Sequence, residues 1–323
     1  MKNLLAMIAL ALCVSTMAAG DELSGALAIF HAGSLSVPMK QIAAQFMKIH
    51  PNVDIRIEAA GSRECARKIT ELKRDCDVLV SADCGVIEQL LIPDYATWNI
   101  PFATNEMAIL YTDKSRRQAE ISNKNWLDVL LDDKVAFGRS EPNSDPSGYR
   151  AILCMKLAEN YYHRPGLAAD MLAKDTRFLR PKSTDLLALL ESGSIDYLIS
   201  YRSLAGQYGL KCLILPNQIN LKDPACLPLY QSVSVTLTGR KPGDTIEQRG
   251  GVSVYGLTIP TQAPNPAAAT AFVQFFLRAD AGMAIIEKYG QPSALPSQTS
   301  TYDHIPHPLR EFVRKPVASK DSN

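Results

Sequence analysis

From Ala26 onward, short apolar runs alternate with amphipathic stretches. Ala26-Leu27-Ala28-Ile29-Phe30 is an unbroken apolar run of strand length, the pattern of a strand covered on both faces. His31-Ala32-Gly33-Ser34 follows, then a helical pattern from about Ser36 to His50. Ile42, Phe46 and Ile49 share one face of that helix, Pro38 suits its first turn and Pro51 stops it. Val53, Ile55 and Ile57 alternate as a second strand that ends at Ala59-Ala60-Gly61-Ser62. A helix to about Lys73 and the strand Val78-Leu79-Val80, ending at Ser81-Ala82-Asp83, complete the unit. Strand, turn, helix, strand predicts an α/β protein with a parallel, doubly wound sheet.

The middle repeats the theme. Met107 to Tyr111 reads as a strand, Trp126 to Leu131 as a short helix, and Val135 to Gly138 as a strand entering the polar turn Ser140 to Gly148. A helix from Tyr149 to Tyr162 follows. Arg177 to Arg180 leads to Ser183-Thr184-Asp185, a cap for the helix Leu186 to Glu191, and Ile195 to Tyr201 is another strand. Val252 to Ile259 is predicted as a strand and Ala267 to Lys288 as one long helix with a minor break. Residues 313–323 read as a peripheral tail.

Residues 1–20 have a different pattern. A cationic start, Met1-Lys2-Asn3, precedes the apolar run Leu4 to Val14 and then small residues before Asp21-Glu22, the layout of a secretory signal cleaved near residue 20. The expected location is therefore periplasmic. With Lys+Arg 34 against Asp+Glu 33, no charge excess directs the molecule toward nucleic acid. Cys65, Cys76, Cys84, Cys154, Cys212 and Cys226 remain after the signal, with no CxxC pair for zinc, and are expected to be buried thiols or to form a single bridge.

No GxSxG, Walker loop, GxGxxG or HExxH motif is present, and the five histidines are scattered. One local design does recur. Ala32-Gly33-Ser34 and Ala60-Gly61-Ser62 both sit where a strand ends and a helix begins, the place where parallel α/β sheets gather ligands. Helix N-termini favour anions, glycine permits close backbone approach, and serine adds a hydroxyl donor. Asn143 to Tyr149, Ser183-Thr184 and Ser200-Tyr201-Arg202-Ser203 make three further polar turns. Any one such serine is explained by helix capping; the two identical turns at equivalent places point to a shared site. Arg63, Arg150 and Arg202 adjoin these turns, where they could neutralise an anion or be salt-bridged.

Phe30-His31-Ala32-Gly33-Ser34-Leu35-Ser36-Val37-Pro38, Pro51-Asn52-Val53-Asp54 and Glu58-Ala59-Ala60-Gly61-Ser62 resemble the tungstate/molybdate-binding proteins of ABC importers. So do Arg67-Lys68-Ile69-Thr70, Leu90-Leu91-Ile92-Pro93, Asn105-Glu106-Met107, Asp145-Pro146-Ser147-Gly148-Tyr149-Arg150 and Val254 to Pro260, in order over residues 26–300. The resemblance implies a two-lobed type II periplasmic binding protein fold with the ligand cleft between lobes. Lobe 1 would hold 21–105 and 252–312, and lobe 2 would hold 106–251. It further implies molybdate or tungstate as ligand, no cofactor, ABC permease and ATPase subunits as partners, a monomer, and no enzymatic activity.

Carried over residue by residue, the oxyanion-binding set is Ser34, Ser62, Asp145, Ser147, Ser183 and Tyr201, with Asp145 a possible extra oxygen ligand to molybdenum or tungsten. Two positions depart from the family pattern. Ser183 stands where the family has a glutamate, which removes a carboxylate from the octahedral set, and Ser147 stands where it has a cysteine. A receptor for sulfate or phosphate, a ligand-sensing subunit and an enzyme on the same scaffold are the rival readings.

Overall fold

The computed structural model describes residues 22–316, so the expected signal segment lies outside the described residues. The chain opens with β1 (Gly25–Ala32), α1 (Ser36–Ile49), β2 (Val53–Ala60), α2 (Ser62–Thr70), β3 (Val78–Ser81), α3 (Cys84–Leu90) and β4 (Ile100–Thr104). It then builds a second sheet from β5 (Met107–Tyr111), β6 (Phe137–Ser140), β7 (Leu179–Arg180), β8 (Tyr197–Tyr201) and β9 (Lys211–Ile214). Within that segment lie α4 (Trp126–Leu131) and α5 (Pro146–Tyr161). A hairpin, β10 (Ser234–Thr238) with β11 (Thr245–Arg249), precedes β12 (Val254–Thr258), which returns to the first sheet.

The strand orders are β2-β1-β3-β12-β4 and β7-β6-β8-β5-β9. β1 pairs in parallel with β2 and β3, whereas β12 runs antiparallel to both β3 and β4. In the second sheet β6 pairs in parallel with β8, and β5 runs antiparallel to β8 and β9. Two sheets of one design, each flanked by helices, give a two-lobed α/β molecule. The apolar runs behave as their patterns require: Leu27, Ile29, Val78 and Val80 are wholly buried, and Met39, Ile42 and Phe46 of α1 pack in the same core. Ile49, the last helical residue, is 59% exposed, so the packed face of α1 ends one turn earlier than its periodicity suggests.

Only Asn105 and Glu106 separate β4 from β5, so the chain passes directly from one sheet to the other. The return passage runs alongside: Asn105 N donates to Ser253 O at 3.0 Å, Ser253 N to Leu221 O at 2.8 Å and Met107 N to Asn220 O at 2.9 Å. Glu106 is buried there, with Arg202 Nη1 at 2.7 Å, Asn220 Nδ2 at 3.1 Å and Lys222 Nζ at 3.3 Å.

Several elements differ from the sequence reading. The expected long helix is two, Pro266–Leu277 and Gly282–Lys288, bent by 49°. The second starts tightly against the first, since a Cβ on Gly282 would meet Phe276 O at 2.3 Å. The helix expected from Tyr149 starts at Pro146, where proline suits the first turn. β4 escapes a pattern search because Pro101 interrupts it, and it occupies the sheet edge, the place proline is tolerated. Val313–Arg314 pairs with Ser297–Gln298. The six cysteines are free thiols; burial pushes Cys65 and Cys84 up to about 12.

Candidate functional site

The recurrent turns meet. Ser34 lies just past β1, Ser62 opens α2 just past β2, Asp145 precedes α5, Ser183 begins a 3-10 turn after β7, and Tyr201 ends β8. All are buried. The first-sheet turns press against those of the second sheet. A Cβ on Gly61 would meet Ser144 O at 2.2 Å, and one on Gly33 would meet Thr184 Oγ1 at 3.0 Å. Gly61 has φ −61, open to any residue, so glycine serves close approach here and not an unusual conformation.

Capping does not explain the serines. No side chain caps α2, whose N-cap is Gly61, nor the short turn Gly33–Leu35, whose N-cap is Ala32. Instead Ser62 Oγ accepts the Ala82 N–H at 2.9 Å. Arg150 Nη1 donates at 2.7 Å to the Tyr201 hydroxyl and also at 2.7 Å to Ala82 O. Asn105 Nδ2 donates to the Tyr255 hydroxyl at 3.0 Å, which lies 2.8 Å from Ser34 Oγ. The Asn105 orientation is fixed because its Oδ1 accepts the Glu106 N–H at 2.9 Å. Tyr255 thus accepts from Asn105 and shares a hydrogen bond with Ser34. Two hydroxyls, Ser62 and Tyr201, each accept from a fixed donor and keep a hydrogen to give. Among the described residues, Ser62 and Tyr201 have no protein acceptor for that hydrogen. Buried hydroxyl donors at the turns of both sheets suit an acceptor-only ligand.

Asp145 caps α5. Its Oδ1 accepts Ser147 N at 3.2 Å and its Oδ2 accepts Ser183 N at 3.0 Å. Burial pushes its carboxyl upward, opposed by those two backbone N–H groups. The Ser147 hydroxyl lies 3.0 Å from Ser200 Oγ, so its partner is β8. Ser183 reaches the group through its backbone N–H.

The arginines near the turns take different roles. Arg150 is buried, with Nη2 2.9 Å from Asp83 Oδ2, and Tyr149 donates its hydroxyl to the same carboxylate. Burial lowers and the Asp83 charge raises the Arg150 guanidinium, with a net shift upward, while burial holds the Tyr201 hydroxyl well above its usual range. Both therefore stay protonated donors. Arg202 pairs with Glu106 at the crossing. Arg63 is wholly buried, and the N–H groups of Arg63 and Glu64 donate to Ser144 O at 3.0 and 3.2 Å. Two N-terminal donors of α2 are therefore used in holding the sheets together. His31 Nδ1 lies 2.9 Å from Ala32 O, and burial lowers its pKa to about 4, so it is neutral near pH 7.

Asn105, Asp83, Tyr149 and Tyr255 were not picked out as site residues by sequence reasoning. Asp83 carried a detectable signal, as the residue after a strand end and the N-cap of α3, accepting Gly85 N at 2.8 Å. Tyr255 lies within a strand over 200 residues from Ser34, and nothing local announces the pair. No group of three or more His, Cys, Asp or Glu that could hold a bare metal ion occurs among the described residues.

The sequence profile described as "Bacterial extracellular solute-binding protein" matches residues 27–291. An uncharacterised solute-binding protein of Petrotoga mobilis is 44% identical over 300 residues, 93% of each chain. The molybdate/tungstate-binding protein WtpA of Pyrococcus abyssi is 37% identical over 314 residues, 89% of each chain. In fold, the chain resembles the periplasmic molybdate-binding protein of Azotobacter vinelandii, with TM-score 0.61, 15% identity, and coverage of 82% of this chain and 98% of that one. By profile and by relatives alike, the chain belongs to the bacterial extracellular solute-binding protein family.

Proposed function

We propose that this protein captures molybdate or tungstate between its lobes outside the cytoplasm and delivers it to the permease and ATPase subunits of an ABC importer. The observation that carries the reading is the set of buried hydroxyls at the turns: Ser62 and Tyr201 each accept from a fixed protein donor and retain one hydrogen for a ligand, and Ser34 is paired with Tyr255. A tetrahedral oxyanion without protons satisfies that arrangement, and the WtpA relative binds such anions. The full proposed set is Ser34, Ser62, Asp145, Ser147, Ser183 and Tyr201. Lobe 1 comprises 21–105 and 252–312, and lobe 2 comprises 106–251; the signal is removed near residue 20, the mature protein is a periplasmic monomer, and it performs no catalysis.

Asp145 is the one carboxylate in this set. A carboxylate beside a dianion is repelled unless it holds a proton or bonds the central atom. Molybdenum(VI) and tungsten(VI) accept an additional oxygen ligand, whereas the sulfur of sulfate does not. With Ser183 in place of a second carboxylate, Asp145 alone of the set supplies carboxylate oxygen.

Calorimetric titration of the anion-stripped mature protein with tungstate, molybdate, sulfate and phosphate tests the reading. One-to-one binding of the two metal oxyanions, with sulfate and phosphate silent, is expected. Binding of sulfate or phosphate at similar strength reassigns it as a broader oxyanion receptor, and silence across the panel refutes it.

A further inference from the structure

The β10–β11 hairpin has its base on one sheet's layer and its tip on the other's. Val235 and Leu237 are buried in the core, and Lys156 Nζ of α5 donates to Ser234 O at 2.5 Å. The tip, Thr238 to Arg240, reaches α2 and α3 of the first sheet. Thr238 N–H donates to Asn143 Oδ1 at 2.8 Å, beside the Asp145 turn, while Thr238 O accepts Arg63 Nη2 from α2. One residue thus carries a bond to each side.

Further contacts extend the grip. Arg67 Nη2 is 2.5 Å from Thr238 Oγ1 and 3.3 Å from Gly239 O. Arg240 spans the end of α3, donating to Gln89 O and Ile92 O and, at 3.3 Å, to Glu88 O. Gln89 Nε2 donates to Gln248 Oε1 of β11 at 3.0 Å. Separation of the sheets with the hairpin base left on α5 breaks all of these at once, and Arg63 adjoins Ser62.

We propose that the β10–β11 hairpin is a strap whose tip bonds α2 and α3 in the closed form and so sets how long a captured ligand is held. This rests on the reading that the ligand sits between the lobes. Arg67 and Arg240 are positioning residues that act through the strap, without touching the ligand. Because strap bonds form after the ligand has entered, their loss changes release more than capture.

The test compares wild type with Arg67→Ala/Arg240→Ala, and with Arg67→Lys/Arg240→Lys as the conservative variant, after thermal melting confirms that each is folded. Release and capture of molybdate are followed by stopped-flow fluorescence, and hydrogen exchange is measured on the peptide covering Thr238, with and without molybdate. Loss of several charge-assisted bonds predicts release at least about tenfold faster, with capture changed less than about twofold and the lysine variant between the two. Exchange at the Thr238 peptide is expected to quicken in the alanine variant. An unchanged release rate overturns the strap. If wild type binds no oxyanion, the functional reading falls, and exchange alone judges the strap: equal exchange in variant and wild type overturns it.

Discussion

Tyr255 stands behind Ser34, its hydroxyl 2.8 Å from the serine oxygen and held by the Asn105 amide at 3.0 Å. The pair links a strand of the late chain to the first turn of the early chain and fixes the position of the Ser34 hydroxyl. Tyr255→Phe keeps the ring contact with Phe102 at 6.0 Å but leaves Ser34 without its hydroxyl partner. Molybdate affinity is expected to fall by about tenfold, with the melting temperature little changed. Calorimetric titration checks this; equal affinity would show that Ser34 is oriented by something else.

Gly61→Ala addresses closure. Its Cβ would stand 2.2 Å from Ser144 O and 3.1 Å from Asp145 Cβ, and the backbone oxygen cannot swing aside. The lobes then stop short of contact, and affinity for any cleft ligand should drop by at least about a hundredfold, roughly 3 kcal/mol. The anion-free protein should melt near the wild-type temperature. Tight binding by this variant would place the ligand elsewhere.

Asp145 has two separable roles. Asp145→Asn keeps an oxygen for capping α5 and removes the charge; Asp145→Ala removes both. If the carboxylate supplies oxygen to the metal, Asn should weaken tungstate and molybdate by about tenfold or more while leaving any sulfate affinity unchanged or stronger. A parallel fall for all anions in both variants would reduce Asp145 to a cap.

His31 predicts a pH dependence of stability. Burial lowers its folded pKa to about 4 from an ordinary value of 6.5. Between those values the unfolded chain binds the proton and the folded chain does not. Stability from this residue is therefore complete above about pH 6.5 and is lost as pH falls toward 4, by about 3 kcal/mol in total. The urea midpoint of wild type should fall relative to that of His31→Gln as pH drops from 7 to 4; parallel curves would contradict it.

The parallel strands β1 to β3 and the two Ala-Gly-Ser turns were legible because their causes are local, whereas the antiparallel pairings of β12 and β5 were not. Apolar runs such as Val78 to Val80 and strand-end glycines report burial and close approach directly. The donors that orient the hydroxyls were not legible, because Tyr255, Asn105 and Ala82 reach Ser34, Tyr255 and Ser62 through the tertiary fold alone. The hairpin escaped for another reason. Val235 and Leu237 alternate as strands do, but Thr245 to Arg249 is mostly polar, and its role comes from where the tip lands.

The return of β12 has a consequence for assembly. It lies between β3 and β4, yet both neighbours end at or before Thr104, and the whole second sheet intervenes before Val254. Until the ribosome has passed residue 258, β3 lacks one neighbour and β4 lacks a ladder altogether. The first lobe begins first and finishes last. Such distant pairing slows folding and leaves strand edges open to other chains, so fragments ending before Val254 should aggregate although they contain most of that lobe.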